Sequence, residues 1–229
     1  MSDAMPAAPA SSGAASGVTI DELVLADDPA RWRELGFVVD GDCSQLGRVR
    51  VRLAGDGAGH GIVGWSLRGV STLALDGLPT TRSQSPLPDV AAEHSNGVVC
   101  IDHVVVFSPQ LDRTVRALQA AGLDLRRIRE EPTPAGAPRQ AFFRLGSEIL
   151  EVVQIPERNV EAAGGSDSPA RLWGLAFTVS DLDRAVTQLA GHISAPRDAV
   201  QPGRRIATLR RSAGLAVPVA LMTSGAHAA

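Results

Sequence analysis

Hydrophobic and polar positions along the chain fall into three recurring blocks. Each opens on a short β-rich run, Ile20–Leu25, Ile101–Val106 or Leu172–Phe177. Each run leads into a helix-start signal. Asp28 precedes Pro29 and Ser108 precedes Pro109, an N-cap with proline at the first helical position. Ser180, with Asp183 three residues on, resembles a capping box. The helices that follow are short and amphipathic: Leu111, Val115 and Leu118 fall at i, i+4 and i+7, and Leu182, Val186 and Leu189 repeat that spacing. Trp32 and Leu35 serve the shorter first block. Every helix then stops at a glycine, Gly36, Gly122 or Gly191, which suits the left-handed position that ends a helix.

About three strand-like stretches follow each helix. In the first block Val49, Val51 and Leu53 alternate with Arg48, Arg50 and Arg52, and Ile62–Leu67 follows. The second block has Leu125–Ile128, Arg139–Leu145 and Ile149–Ile155, with Gly146-Ser147 as a tight turn. The third has Ile193–Val200, Arg205–Arg210 and Leu215–Met222. The pattern predicts an α+β protein of three β-α-β-β-β modules, at 18–75, 98–156 and 170–224, the first divergent. Residues 1–17 read as a flexible tail. The Pro-, Ser- and Thr-rich 76–97 and the Gly- and Ser-rich 157–169 read as surface linkers. Val105, Leu118, Phe143, Leu150 and Leu189 are expected in the core.

Composition narrows the function classes. Of 229 residues, 44% are hydrophobic and 21% charged, which excludes wholesale disorder. The net charge is -3, all 22 basic side chains are Arg, and aromatics are 3% with no Tyr, so a nucleic-acid partner is not expected. No apolar run approaches the roughly 18 residues of a membrane helix. The N-terminus lacks a signal-peptide pattern, and Cys43 and Cys100 suit a reducing compartment, so the expected location is the cytoplasm. No Ser-His-Asp or Cys-His arrangement stands out. Arginines do: Arg139-Gln140 opens a stretch closing on Arg144, and Arg205 holds the place of Arg139 in the third block. Such side chains grip a carboxylate or phosphate in a two-point fork, or they balance nearby acids on the surface.

A unit that opens Ile-Asp-His-Val-Val-Val at 101, passes Leu-Asp-Arg into a helix and closes Ile-Leu-Glu-Val-Val at 149 resembles the vicinal oxygen chelate superfamily. That group includes glyoxalase I, bleomycin-resistance proteins and extradiol dioxygenases. The resemblance implies two modules, here the second and third, paired into a cup of eight strands around one site. It also implies, in metal-dependent members, one ligand from the first and one from the last strand of each module. His103 and Glu151 hold those places, with Ile101, His103 and Val105 expected on one face and Ile149, Glu151 and Val153 on another. An imidazole and a carboxylate suit zinc, iron, nickel or manganese. The third module aligns at an offset of 71, which puts Gly174 in the place of His103 and Met222 in the place of Glu151. Glu22 of the first module aligns with His103, and pairing the first two modules would add it to the ligands. His103 reads equally as a half-buried histidine, Glu151 as a polar lining residue and Glu22 as solvated.

Two functional expectations follow. The first is a small-molecule-binding protein or metal-free enzyme that holds an anionic ligand with Arg139, Gln140, Arg144 and Arg205. The alternative is a metal-dependent lyase, isomerase or dioxygenase in which His103, Glu151 and Glu22 hold one divalent cation and Glu151 moves the proton. An odd third module leaves one apolar face and one sheet edge without an internal partner, so a homodimer is expected.

Overall fold

The computed structural model describes residues 17–88, 92–133 and 136–225. Most of the expected tail, and part of the first linker, lie outside those residues. The chain forms two sheets. The first unit contains β1 (Thr19–Leu25), α1 (Pro29–Glu34), β2 (Cys43–Leu46), β3 (Val49–Leu53), β4 (Ile62–Arg68) and β5 (Thr80–Arg82), in sheet order β2-β3-β1-β4-β5. The second unit has β6 (Val98–Ser108), α2 (Leu111–Ala120), β7 (Asp124–Arg129), β8 (Gln140–Leu145) and β9 (Glu148–Gln154). After a short helix α3 (Glu157–Val160), the third has β10 (Arg171–Val179), α4 (Leu182–Gln188), β11 (Arg197–Asp198), β12 (Arg205–Thr208) and β13 (Val219–Thr223). These two units share one sheet of eight strands, in the order β11-β12-β13-β10-β6-β9-β8-β7. This is the expected α+β architecture, with the second and third modules joined through their first strands.

Local chemistry explains the helix limits. Asp28 accepts from the Ala30 N–H at 2.8 Å and Pro29 opens α1, as expected. Helix α4 is capped by Asp181, which accepts from the Arg184 N–H at 3.0 Å, while the Ser180 hydroxyl donates to the Gly97 carbonyl. The capping box at Ser180 is therefore replaced by a carboxylate one residue later. In the second unit the helix starts at Leu111, and Ser108 turns the chain by accepting from the Gln110 N–H at 3.1 Å. Gly36, Gly122 and Gly191 end their helices at φ of 87°, 92° and 87°. A side chain with a Cβ is disfavoured there, which is why the same punctuation recurs.

One apolar cluster spans both sheets and the helices α1, α2 and α4. The five core positions named from the sequence are all buried. Phe177 of β10 meets Trp32 and Phe37 of the first unit, with ring centroids at 6.2 and 5.9 Å. The apolar face expected to be left over is thus covered within the chain. Among the described residues no helix is long and apolar enough to cross a membrane.

The small sheet repeats the middle of the large one. β6 runs antiparallel to β10, and β1 runs antiparallel to β4. β13 lies parallel to β10, and β5 lies parallel to β4. Gly174 lets Pro218 approach so that the Leu175 N–H bonds its carbonyl at 2.9 Å; Gly64 lets the Trp65 N–H bond Pro79 at 3.0 Å. The expected linker 76–97 is therefore structural in part: it supplies β5, the Asp76 carboxylate bound by Arg113, and the buried His94 and Asn96. The linker 157–169 is not plain coil either, since α3 and a 3₁₀ turn at Glu161–Ala163 lie at the mouth of the cup.

Candidate functional site

The large sheet encloses a cavity of about 790 Å³. Side chains alternate along its strands, so Val104 and Val106 enter the core while His103, Val105 and Phe107 line the cavity. The pairing between β6 and β10 slips at Asp102, because Ala176 faces His103 while Phe177 faces Ile101. This bulge inserts one residue, reverses the parity of the strand before it, and turns Asp102 toward the imidazole. Ile101 consequently sits in the core and does not share a face with His103, contrary to strict alternation. The same slip occurs at Asp21 in β1 and at Trp173 in β10. It accompanies the opening motif in all three units.

Three charged or ionisable side chains form a line at the cup floor. His103 Nδ1 lies 2.8 Å from Asp102 Oδ1, and its Nε2 lies 3.5 Å from Glu151 Oε2. Gln140 donates to the other Glu151 oxygen, and Arg204 donates to the other Asp102 oxygen. Burial raises the Glu151 carboxyl above its ordinary range, and the nearby imidazole and the Gln140 amide offset this only in part. Burial also opposes charge on Asp102, but bonds from His103 and Arg204 outweigh it and hold that carboxyl well below the usual range. An anionic Asp102 fixes Nδ1 as the protonated nitrogen, so Nε2 faces Glu151 as an acceptor.

Other expected site residues lie elsewhere. Glu22 belongs to the small sheet, where Arg52 binds it at 2.8 Å; it does not join His103 and Glu151. The first and second modules do not pair into a cup, and that is the physical reason. Arg139 is bound by Glu130 and Asp112, and Arg205 by both oxygens of Asp183, with neither lining the cavity. Arg144 is exposed and reaches the Ser147 carbonyl at 3.3 Å. Gln140 alone of the four expected ligand-binding residues lines the cup.

The donor set does not match the four ligands that the resemblance implies. Gly174 does hold the place of His103, and Pro218 O lies 3.0 Å from where its Cβ would stand, leaving no room for a side chain. Glu151 lies opposite Val105, and the corresponding pair in the third unit is Ala176 opposite Ala220. The counterpart of Glu151 is therefore Ala220, while Met222 lies two residues further along the same face of β13, where it is buried and does not line the cavity. Among the described residues no three His, Cys, Asp or Glu converge on a common point. His103 and Glu151 remain as two candidate ligands, and their counterparts in the third unit are glycine and alanine.

Residues missed from the sequence include Asp102, visible only as the middle of the repeated Ile-Asp-X opening, and Arg204, which neighbours the Arg205 that drew attention. At the mouth are Phe107, Arg158, Arg171 and Trp173. No periodicity marks the last, because a bulge places it.

The chain matches no protein-family model and no curated protein. Among solved structures it is similar to a xylose isomerase-like TIM barrel/4-hydroxyphenylpyruvate dioxygenase fusion protein, at 16% identity and a TM-score of 0.60. That match covers 92% of this chain and 50% of the fusion protein. Methylmalonyl-CoA epimerase from Mycobacterium tuberculosis matches at 19% identity and a TM-score of 0.47, over 60% of this chain and 94% of the epimerase. A Streptomyces coelicolor methylmalonyl-CoA epimerase variant, in complex with 2-nitronate-propionyl-CoA, matches at 22% and 0.45, over 56% and 96%. The fusion protein and this chain thus share an architecture at low sequence identity. The chain has the fold of the vicinal oxygen chelate superfamily.

Proposed function

We propose that the chain binds a small molecule in the cup and exchanges a proton with it through Glu151, without the metal that the family resemblance implies. The observation that carries this reading is the buried Glu151 carboxylate, bound by the Gln140 amide with His103 Nε2 3.5 Å away, while the corresponding places in the third unit hold alanine and glycine. A carboxyl raised by burial is a stronger base than a solvated one, which favours proton abstraction. Glu151 takes the proton from an acidic C–H or O–H of the ligand. The protonated carboxyl then donates to His103 Nε2, and Asp102 stabilises the resulting imidazolium through Nδ1.

The test is deuterium incorporation from heavy water into a panel of 2-oxo and aryl-substituted carboxylic acids, read by mass spectrometry. Wild-type protein is expected to catalyse exchange in at least one of them, and Glu151→Gln to lower the rate by about 10²–10⁴. Equal exchange by both proteins would overturn the role of Glu151. Tight binding of zinc, nickel, iron or manganese that His103→Ala abolishes would overturn the metal-free reading.

The ligand is read as anionic at one end, but Arg139 and Arg205 lose that role to their acidic partners. Both cysteines are free, which supports the cytoplasmic placement. The homodimer expectation loses its argument, because the first unit buries its apolar face against Phe177.

A further inference from the structure

Phe107 lies four residues along β6 from His103, on the same side of the strand and about 13 Å away at a rise of ~3.3 Å per residue. The bulge at Trp173 turns the indole to that side as well. The two rings stack, with centroids 4.6 Å apart and planes inclined by 24°. Trp173 is 39% exposed, whereas Trp32 and Trp65 are 0% and 2% exposed. A large aromatic surface is thus left partly bare where it lines a cavity. Arg171 sits over the Phe107 ring at 5.5 Å, and Arg158 enters from α3. Among the described residues neither guanidinium lies against a carboxylate, although Arg113, Arg139, Arg204 and Arg205 are each bound to an acid. Between mouth and floor the walls are apolar, from Val105, Val153 and Ile206.

We infer that the ligand of this cup is an elongated aryl carboxylic acid, its carboxylate held at the mouth by Arg171 and Arg158 and its ring laid against Trp173. The opposite end reaches Glu151. Guanidinium groups without protein acids match a carboxylate in geometry and charge, and the indole beside them offers a planar apolar surface. A ligand spanning both ends needs the apolar middle that the walls provide. This assignment rests on the cup reading above, and names its substrate class.

Calorimetric titration with naphthalene-2-acetate, naphthalene-2-acetamide and cyclohexaneacetate tests it. The naphthyl acid is expected to bind at least tenfold more tightly than its amide. Arg171→Gln should weaken the acid about tenfold and leave the amide within twofold, with Arg158→Gln acting in the same direction. Trp173→Leu should weaken both naphthyl probes and leave cyclohexaneacetate unchanged. Equal affinity for acid and amide, or an acid affinity untouched by both arginine changes, would overturn the anion subsite. Failure of all three probes to bind would overturn the inference as well. None of these three results alters the deuterium-exchange difference between wild type and Glu151→Gln, so failure here is distinguishable from failure of the role given to Glu151.

Discussion

Both ring nitrogens of the buried His94 are occupied by backbone. Nδ1 accepts from the Val38 N–H at 2.9 Å, and Nε2 lies 3.0 Å from the Gln45 carbonyl, to which it donates. A protonated imidazole cannot accept from Val38, and burial lowers the pKa from 6.5, with the Gln45 bond opposing in part. The unfolded chain therefore takes up a proton before the folded one does. Stability is held above the unfolded value and falls as pH drops below about 6.5 toward the folded value, by at most ~1.4 kcal/mol per pH unit. Urea unfolding at a series of pH values should show this slope in the wild type and its loss in His94→Gln. An unchanged slope would remove His94 from the account. The Asp102 carboxyl, held low, works at the other end of the scale: its contribution is complete above the ordinary carboxyl value and is lost only in stronger acid.

α3 and its following turn form an element by position more than by propensity, being one short turn with no buried residue. The far end of the segment is tied down by Arg113, which donates to the Ser166 carbonyl at 3.0 Å and binds the Asp76 carboxylate at 2.7 Å. One guanidinium therefore joins α2, the first connector and the mouth of the cup. Arg113→Ala should leave Asp76 without its cation and cost about 1–3 kcal/mol, the scale of a buried polar group left unsatisfied. Limited proteolysis should then cleave within 157–169 faster than in the wild type. Cleavage at the wild-type rate would mean that the segment is held by its other contacts alone. Edge strands of the large sheet are blunted in different ways. β7 carries Arg126, Arg127 and Arg129, and β11 is two residues long.

At the scale of the whole molecule, Trp32, Phe37 and Phe177 join the two sheets in one apolar cluster. Trp32→Ala should cost about 3–5 kcal/mol while unfolding stays a single transition. Separate transitions for the two sheets would contradict this. With that face covered and the edges blunted, sedimentation at micromolar concentration should give a species of 23.8 kDa. A stable dimer would show that another surface associates. The three units, their helices and their glycine stops were legible in the sequence because each rests on neighbours within a few residues: Asp28 on Ala30, Gly122 on the last turn of α2. His103 and Glu151 were legible as a pair because strand alternation and the family resemblance agree on them. Alternation could not reveal the slips at Asp102 and Trp173, since a bulge exists only between two paired strands. Nor could it tell which arginines face the cup. Arg139 and Arg205 find their acids in remote segments, whereas Arg171 and Arg158 meet at the mouth only after β10 docks beside β6. Local contacts make the elements; the register between strands that are distant in sequence decides which side chains share a cavity.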